Sequence, residues 1–356
     1  MSKKHLIKGE SIANLDPVHD LRRGFESRIE GLNRIIAEGK KWAGVQAEEL
    51  ERERARFAAL AAIKEPILRG PLVKLARSGG HHAHGAVLVN WSDWHVAEVV
   101  DKSKIHGKNA YSPEIARKRS RTCAESTVRL WRHTRASYAV DTMVLFLGGD
   151  FISGYLHEEL AQTNAMAPIQ EARFAEELLM GALDLLVNEK SIKRLHIVGM
   201  SGNHGRTSKK MQFKNNYETS YESFIYWHLQ DMYASDQVTF SVPKGDVEIV
   251  EVVADFKLRL YHGHQIKYND GMGGLTIPLN KWQAKQQSIG RADFNLMGHY
   301  HTFSQPNAVT CLNGSLKGFD EYAASHGFPC QPPLQSFVLY DINRRLIVQT
   351  MPVFCS

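Results

Sequence analysis

The stretch Thr142 to Asp150, TMVLFLGGD, constrains the fold more than any other: an apolar run that stops abruptly at two glycines and a carboxylate. A run of this length bounded by turn residues reads as a buried strand, and a strand buried on both faces belongs to a sheet covered on both sides. The glycines allow a tight turn that leaves Asp150 exposed at the strand's end. Alone, Gly-Asp is common punctuation. Four other apolar runs end in polar groups of related chemistry, and that repetition gives Asp150 its interest.

Ala86 to Trp91 reads as a strand, followed by Ser92-Asp93-Trp94-His95. In extended backbone, residues two apart project to one side, so Asp93 and His95 make a chelating pair. A helix capped by Ser112, with Pro113 at its first position, runs towards Ala136. After the Asp150 strand, Ile152 to Ala167 forms a long loop, and Pro168 to Val187 returns as a helix with an apolar face from Phe174 to Leu186. Arg194 to Met200 is the next strand. It stops at Ser201-Gly202-Asn203-His204-Gly205, where Asn203 offers an amide oxygen to a metal and His204 stands beside it.

Glu218 to Ala234 reads as an aromatic-rich helix packed on the core. Lys257 to Tyr261 alternates like a strand and ends in His262-Gly263-His264, with His264 an alternative to His262 as a ligand. Phe294 to Met297 ends in Gly298-His299-Tyr300-His301, which repeats the spacing of Asp93 and His95. Asp270 to Gly274 is rich in glycine, but no GK[ST] follows, so it reads as a hinge. Ala308 to Leu312, Phe337 to Ile342 and Leu346 to Met351 supply strands enough for a second sheet.

Residues 1 to 80 differ in texture. Leu21, Phe25, Ile29, Leu32 and Ile36 recur at helical spacing, and Gln46 to Arg56 is dense in Glu and Arg, which predicts a helical arm or hairpin packed on a main domain at 86–356. Ser78 to Gly85 reads as a flexible joint whose histidines are loop residues. The arm is also where a second copy or a partner protein would be expected to bind. No run of eighteen apolar residues is present, and the N-terminus lacks the apolar core of a secretory signal, so the expectation is a cytoplasmic chain with no membrane partner. Four cysteines without a CxxC spacing indicate neither a thiolate zinc site nor a disulfide framework, and they read as reduced. Seventeen histidines supply imidazole ligands, and a net charge of +6 favours an anionic partner.

Asp93-x-His95, Gly149-Asp150, Gly202-Asn203-His204, His262 and Gly298-His299-x-His301 resemble the ordered motifs of the calcineurin-like metallophosphoesterases, over about Ala86 to Leu316. The resemblance implies an α/β fold, a two-sheet sandwich flanked by helices, with a dinuclear metal centre. One ion would take Asp93, His95, Asp150 and His301, and the other Asp150, Asn203, His262 and His299. Asp150 would bridge the two, a shared water would act as hydroxide in line on phosphorus, and His204 would donate to the phosphate or protonate the leaving oxygen. Such a donor set suits two divalent ions, with Mn first and Fe or Zn also accommodated.

Within that family, the His262-Gly-His264 strand end and Asn313 to Glu321 look most like the SbcD-type DNA repair nucleases and their phage-encoded relatives. That looser likeness implies a DNA exo- or endonuclease. Arg206, Lys209 and Lys210 would then contact the nucleic-acid backbone, a reading that stands level with a solvated basic loop. A phosphatase or small-molecule or cyclic-nucleotide phosphodiesterase is the alternative, and a non-catalytic scaffold ranks below both. The chain departs from the family pattern twice. Gly205 and Arg206 follow Asn203-His204 where an acid is usual, and Phe151-Ile152-Ser153 replaces a second acid after Asp150.

Overall fold

A computed structural model describes residues 17–61, 83–212, 214–253, 255–267 and 274–356. The chain divides into two compact units, Met1–Gly79 and Gly80–Ser356. In the first, α1 is a single continuous helix, Pro17–Ala61, and it exposes Ile29, Leu32 and Ile36; the rest of the expected helical arm or hairpin lies outside the described residues. Nothing between those limits breaks it: the run has no internal proline, and its acidic and basic residues pair along the helix, as Arg22 does with Glu26 and Arg54 with Glu51. Most of the Ser78–Gly85 joint and of the Asp270–Gly274 hinge lies outside the described residues. Ala83 to Gly85, however, already belong to a strand.

The second unit contains strands β1 (Ala83–Trp91), β2 (Tyr138–Leu147), β3 (Arg194–Gly199), β4 (Val238–Ser241), β5 (Glu248–Val253), β6 (Phe256–Tyr261), β7 (Phe294–Met297), β8 (Ser304–Asn307), β9 (Thr310–Leu312), β10 (Leu334–Asp341) and β11 (Leu346–Phe354). Its helices are α2 (Pro113–Arg135), α3 (Glu158–Thr163), α4 (Pro168–Val187), α5 (Tyr221–Tyr233), α6 (Thr276–Gln287) and α7 (Glu321–Ser325). Ser112 caps α2 as expected, its hydroxyl accepting from the Ile115 amide.

One sheet has the order β11-β10-β1-β2-β3-β4, with β1 to β4 parallel and β10 and β11 antiparallel at one edge. The other has the order β5-β6-β7-β9-β8. Here the structure corrects the expected origin of the second sheet. The last two apolar runs do not build it; β10 returns to pair with β1, Val89 opposite Phe337, and carries β11 with it. The second sheet is drawn instead from residues 248 to 312.

Alternation along the parallel strands separates two cores. Val87, Val89, Met143, Leu145 and Ile197 pack against α2, α4 and α5, around Trp131, Leu179 and Ile225. Leu88, Val144, Phe146 and Val198 face the second sheet, meeting Leu258, Leu260, Phe294 and Leu296. This is the expected two-sheet sandwich flanked by helices. Because β1, β2, β3, β6 and β7 all point the same way within their sheets, their carboxyl ends gather at one rim of the sandwich, where α/β sheets place ligands.

Candidate metal centre

The rim is stitched by backbone hydrogen bonds between loops. Asp93 N donates to Gly149 O, His95 N to Asp150 O, and Gly298 N to His262 O, at 2.9, 3.1 and 2.8 Å. Such close approach demands glycine at two positions. A Cβ on Gly149, whose φ is +86°, would lie 2.2 Å from the Gly202 amide nitrogen, and one on Gly202 would lie 2.1 Å from an Asp150 carboxylate oxygen. The two loops therefore touch through their glycines, and Asp150 is buried between them instead of exposed.

The two-apart pairs do not arise from extended backbone. Asp93, His95, Asp150, His299 and His301 all have positive φ, between 47° and 72°. For residues with a Cβ this conformation is uncommon and costs energy, so the surrounding hydrogen bonds must impose it. Asp93 and His95 project together because the chain turns left-handed at each.

Two clusters result, each with ligand atoms within 4.8 Å of one another: Asp93, His95 and His301, and Asp150, His262 and His299. Asn203 reaches the second, its Oδ1 3.1 Å from His262 Nε2. All seven expected ligands thus lie at the rim. His264 stands outside both clusters, its ring 5.6 Å from that of His262, and neither of its nitrogens has a hydrogen-bond partner among the described residues. Burial pushes it down to about 3.

The hydrogen bonds fix which nitrogens face inward. His262 Nδ1 lies 2.7 Å from the Gly148 carbonyl, which can only accept, so Nδ1 carries a proton and a neutral ring presents a lone pair at Nε2. That lone pair meets Asp150 Oδ2 at 2.9 Å and Asn203 Oδ1 at 3.1 Å. Likewise His95 Nδ1 faces the Glu98 carboxylate at 3.2 Å, leaving Nε2 3.2 Å from His301 Nε2. Acceptors facing acceptors at these distances repel unless a cation or a proton lies among them. With a proton alone, burial would lower His262, but the Asp150 carboxylate outweighs it and holds the ring up at about 10. Asp150 itself lies well below the usual range despite its burial, because His262 and His204 surround it. The donor set fits divalent cations.

Three glutamates that the sequence did not mark, and Lys317 of the Asn313–Glu321 stretch, support this rim. Glu171, in the first turn of α4, accepts from the amides of Ser153 (2.6 Å), Gly154 (3.0 Å) and Ala97 (3.4 Å). Glu222, in the first turn of α5, accepts from Phe151 (2.6 Å) and Gly202 (2.7 Å), gripping the Asp150 and Asn203 loops together. Burial raises Glu171 to about 7; burial and then the Asp150 charge raise Glu222 to about 8. Glu98 and Lys317 form the other support, a buried ion pair of 2.6 Å, with Asp320 also 2.6 Å from the lysine. A carboxylate three positions after His95, and an acid three after Lys317, were the available signals.

The Asn313–Glu321 stretch acquires a role here. Asn313 donates to Ser92 Oγ, Ser315 Oγ to the Asp93 carbonyl, and Glu321 accepts from the Asp101 amide. It cradles the segment that carries Asp93 and His95.

His204 lies at the mouth without joining either cluster. Its amide donates to Asp150 Oδ1 at 2.8 Å, and its Nδ1 lies 2.9 Å from the Ser153 carbonyl, which occupies the place of the missing second acid. Burial lowers it to about 4. Arg206 turns onto its own loop, its guanidinium donating to the carbonyls of Asn203, Ser208 and Lys209. Lys209 and Lys210 are exposed, and Lys209 lies 3.8 Å from Glu158.

No family model and no curated protein matches the chain. Among solved structures it is similar to the sulfate thiohydrolase SoxB of Thermus thermophilus in complex with glycerol, at 12% identity and a TM-score of 0.31, covering 76% of this chain and 57% of that one. It is also similar to a novel phosphatase of Mycoplasma pneumoniae, at 9% identity and a TM-score of 0.29, covering 76% of this chain and 92% of that one. The chain therefore spans little more than half the length of the first. Among the described residues no helix is long and apolar enough to cross a membrane.

Proposed function

We propose that this chain is a metal-dependent phosphodiesterase of the calcineurin-like metallophosphoesterase type that acts on DNA. The observation that carries the hydrolytic reading is the pair of adjoining clusters, Asp93–His95–His301 and Asp150–His262–His299, at one sheet rim. Asp150, whose carboxylate lies 2.9 Å from His262 Nε2 and whose backbone carbonyl accepts from the His95 amide, would be the bridge between them. When bound, two divalent ions would supply Lewis-acid polarisation of the phosphoryl group and a hydroxide nucleophile near neutral pH.

The chain's own residues do the positioning. Asp93, His95 and His301 would hold one ion, and His262, His299 and Asn203 the other, with Asp150 between. The Gly148 carbonyl and Glu98 fix the His262 and His95 tautomers, a common arrangement around ligating imidazoles. His204, held by Ser153, would contact the phosphoryl group through Nε2, the ring atom left free.

Support for DNA comes from the +6 charge, from the exposed Lys209 and Lys210, and from the likeness of the His262 and Asn313–Glu321 stretches to SbcD-type nucleases. A small-molecule phosphodiesterase or phosphatase is the second reading. It is favoured by Arg206, whose guanidinium is spent on its own loop. Side-by-side assays on DNA, RNA, a model diester and a model monoester, each with Mn²⁺ and with chelator, separate these. Chelator-sensitive DNA cleavage is expected. Hydrolysis of the model diester with both single- and double-stranded DNA left intact removes the nuclease reading, and a strong monoester preference replaces it with a phosphatase.

A further inference from the structure

Helix α5 carries aromatic residues on both sides, and the core uses only one of them. Ile225, Tyr226 and Leu229 are buried, and the Tyr226 hydroxyl donates to the Met200 carbonyl at 3.1 Å. Phe224 and Trp227 are 65% and 41% exposed, and among the described residues neither stacks on another ring. Three positions apart on a helix, they are surface neighbours on successive turns. A single exposed apolar residue is ordinary; two large adjoining rings beside the ligand clusters call for an occupant.

The strip is tied to the rim through Glu222, two residues before Phe224. The Glu222 carboxylate lies 2.6 Å from Phe151 N and 2.7 Å from Gly202 N, the neighbours of Asp150 and Asn203. Phe224 lies roughly 200° further round the helix than this inward-facing glutamate, so the outer strip begins within one turn of the rim.

The loop before α5 adds charge. It leaves and returns at the helix start, with Thr207 N donating to Thr219 O at 2.8 Å and Tyr221 N to Gly205 O at 2.9 Å. Between Arg206 and Tyr217 it has no acid, and Lys209, Lys210 and Lys214 are exposed. An apolar protein surface would match the rings but not the lysines. A single nucleic-acid strand matches both, because each base offers a flat face and each linkage a negative charge. Paired bases already stack on one another and withhold those faces. Asp231, exposed one turn beyond Trp227, repels a phosphate chain and sets the far end of the strip.

We propose that Phe224 and Trp227 stack two unpaired bases of a DNA strand whose phosphates are met by Lys209, Lys210 and Lys214. The inference deepens the reading above and rests on its choice of DNA. The strip leads the strand outward from the ligand clusters and selects single-stranded over paired substrate.

The test measures binding of a fluorescein-labelled oligothymidylate, and of a duplex of equal length, by anisotropy in chelator so that neither is cut. The full-length protein is compared with its Phe224→Leu/Trp227→Leu and Phe224→Tyr/Trp227→Phe variants. Leucine keeps an apolar surface and removes the flat ring, and at exposed positions these changes should leave folding intact. The leucine variant should bind the single strand about 10²-fold more weakly, about tenfold for each ring, while its duplex affinity changes less than about twofold. The Tyr/Phe variant should stay within about threefold of the unaltered protein on both. With Mn²⁺, the leucine variant should hydrolyse a p-nitrophenyl ester of thymidine monophosphate as the unaltered protein does. Unchanged single-strand binding in the leucine variant, or equal weakening on strand and duplex, would overturn the assignment. So would self-association of the unaltered protein in sedimentation that the leucine variant loses, which gives the face to a second copy. A protein that hydrolyses the ester but binds no oligothymidylate removes the strip and leaves the phosphodiesterase reading standing. One that binds the strand through the two rings but cleaves neither DNA nor ester with Mn²⁺ removes the hydrolytic reading and keeps the strip.

Discussion

The two halves of the rim are held by the same residue type in opposite electrical states. Around Asp93 and His95 the support is Glu98, which Lys317 compensates at 2.6 Å; despite burial, its carboxyl is held well below the ordinary range. Around Asp150 and Asn203 the supports are Glu171 and Glu222, which among the described residues form no ion pair and accept only from backbone amides, and burial pushes them up to about 7 and about 8. A full counter-charge offsets desolvation where two or three amide dipoles do not. One half is thus an ion-paired clamp closed by a segment more than two hundred residues away. The other is a pair of helix first turns that collect the amides of adjacent loops.

Breaking the clamp should have the largest effect. Lys317→Met leaves Glu98 and Asp320 buried without a counter-charge, and about 3–5 kcal/mol of stability should be lost in denaturant unfolding. Adding Glu98→Gln and Asp320→Asn should restore part of that. A loss below about 1 kcal/mol for the single variant would show that the ion pair is not what holds the Asp93 half. Glu222→Gln comes next. Its amide group must face one of the two donors, Phe151 N–H or Gly202 N–H, leaving it unsatisfied at a cost of about 1–3 kcal/mol. If the halves are independently supported, metal titration of this variant should weaken the Asp150 site and spare the other; equal weakening of both would merge them.

The halves should also respond to pH with opposite signs. Glu171 is raised from 4.5 to about 7, so the folded state binds the extra proton. Its contribution to stability is complete below about 4.5 and is lost as pH rises through about 7. Glu98 is depressed, so its contribution is present above its ordinary value and is lost as pH falls through its lowered one. Glu171→Gln should therefore flatten the fall in melting temperature between about pH 4.5 and 7 while leaving the acid limb in place. An unchanged profile would mean that the three amides hold Glu171 ionised, as they hold an ordinary paired carboxylate.

The candidate ligands could be picked out because each is the abrupt polar stop of an apolar run, and strand ends converge in an α/β sandwich whatever the details of the loops. Their supports could not. Glu171 and Glu222 look like ordinary first-turn glutamates, favourable beside a helix N-terminus, and their partners are backbone amides that have no sequence signature. The left-handed backbone at Asp93, His95 and His299 was equally silent, because the residues most tolerant of it, glycine and asparagine, are absent from those positions. Sheet order was misread in the tail for another reason. Apolar alternation identifies a strand but not its neighbour, and β10 is placed by long-range pairing with β1.

The smallest effect is expected away from both halves, on the loop after His204, and it bears on substrate rather than on stability. Lys209 and Lys210 are exposed, and among the described residues their side chains hold nothing beyond a loose contact of Lys209 with an equally exposed Glu158. Changing both to alanine should therefore shift folding stability by no more than about 0.5 kcal/mol. If the loop tracks a nucleic-acid backbone, each lysine that neutralises a phosphate releases counterions. The double variant should then lower the slope of log affinity against log salt by roughly 1 to 2. The measurement is DNA binding by anisotropy across a salt series, with Arg206→Lys as a contrast, because the guanidinium holds its own loop through three carbonyls and its loss should change loop geometry before it changes charge. An unchanged salt slope in the double variant would confine the chemistry to the rim and turn the loop into ordinary surface, which is what a small-molecule substrate requires.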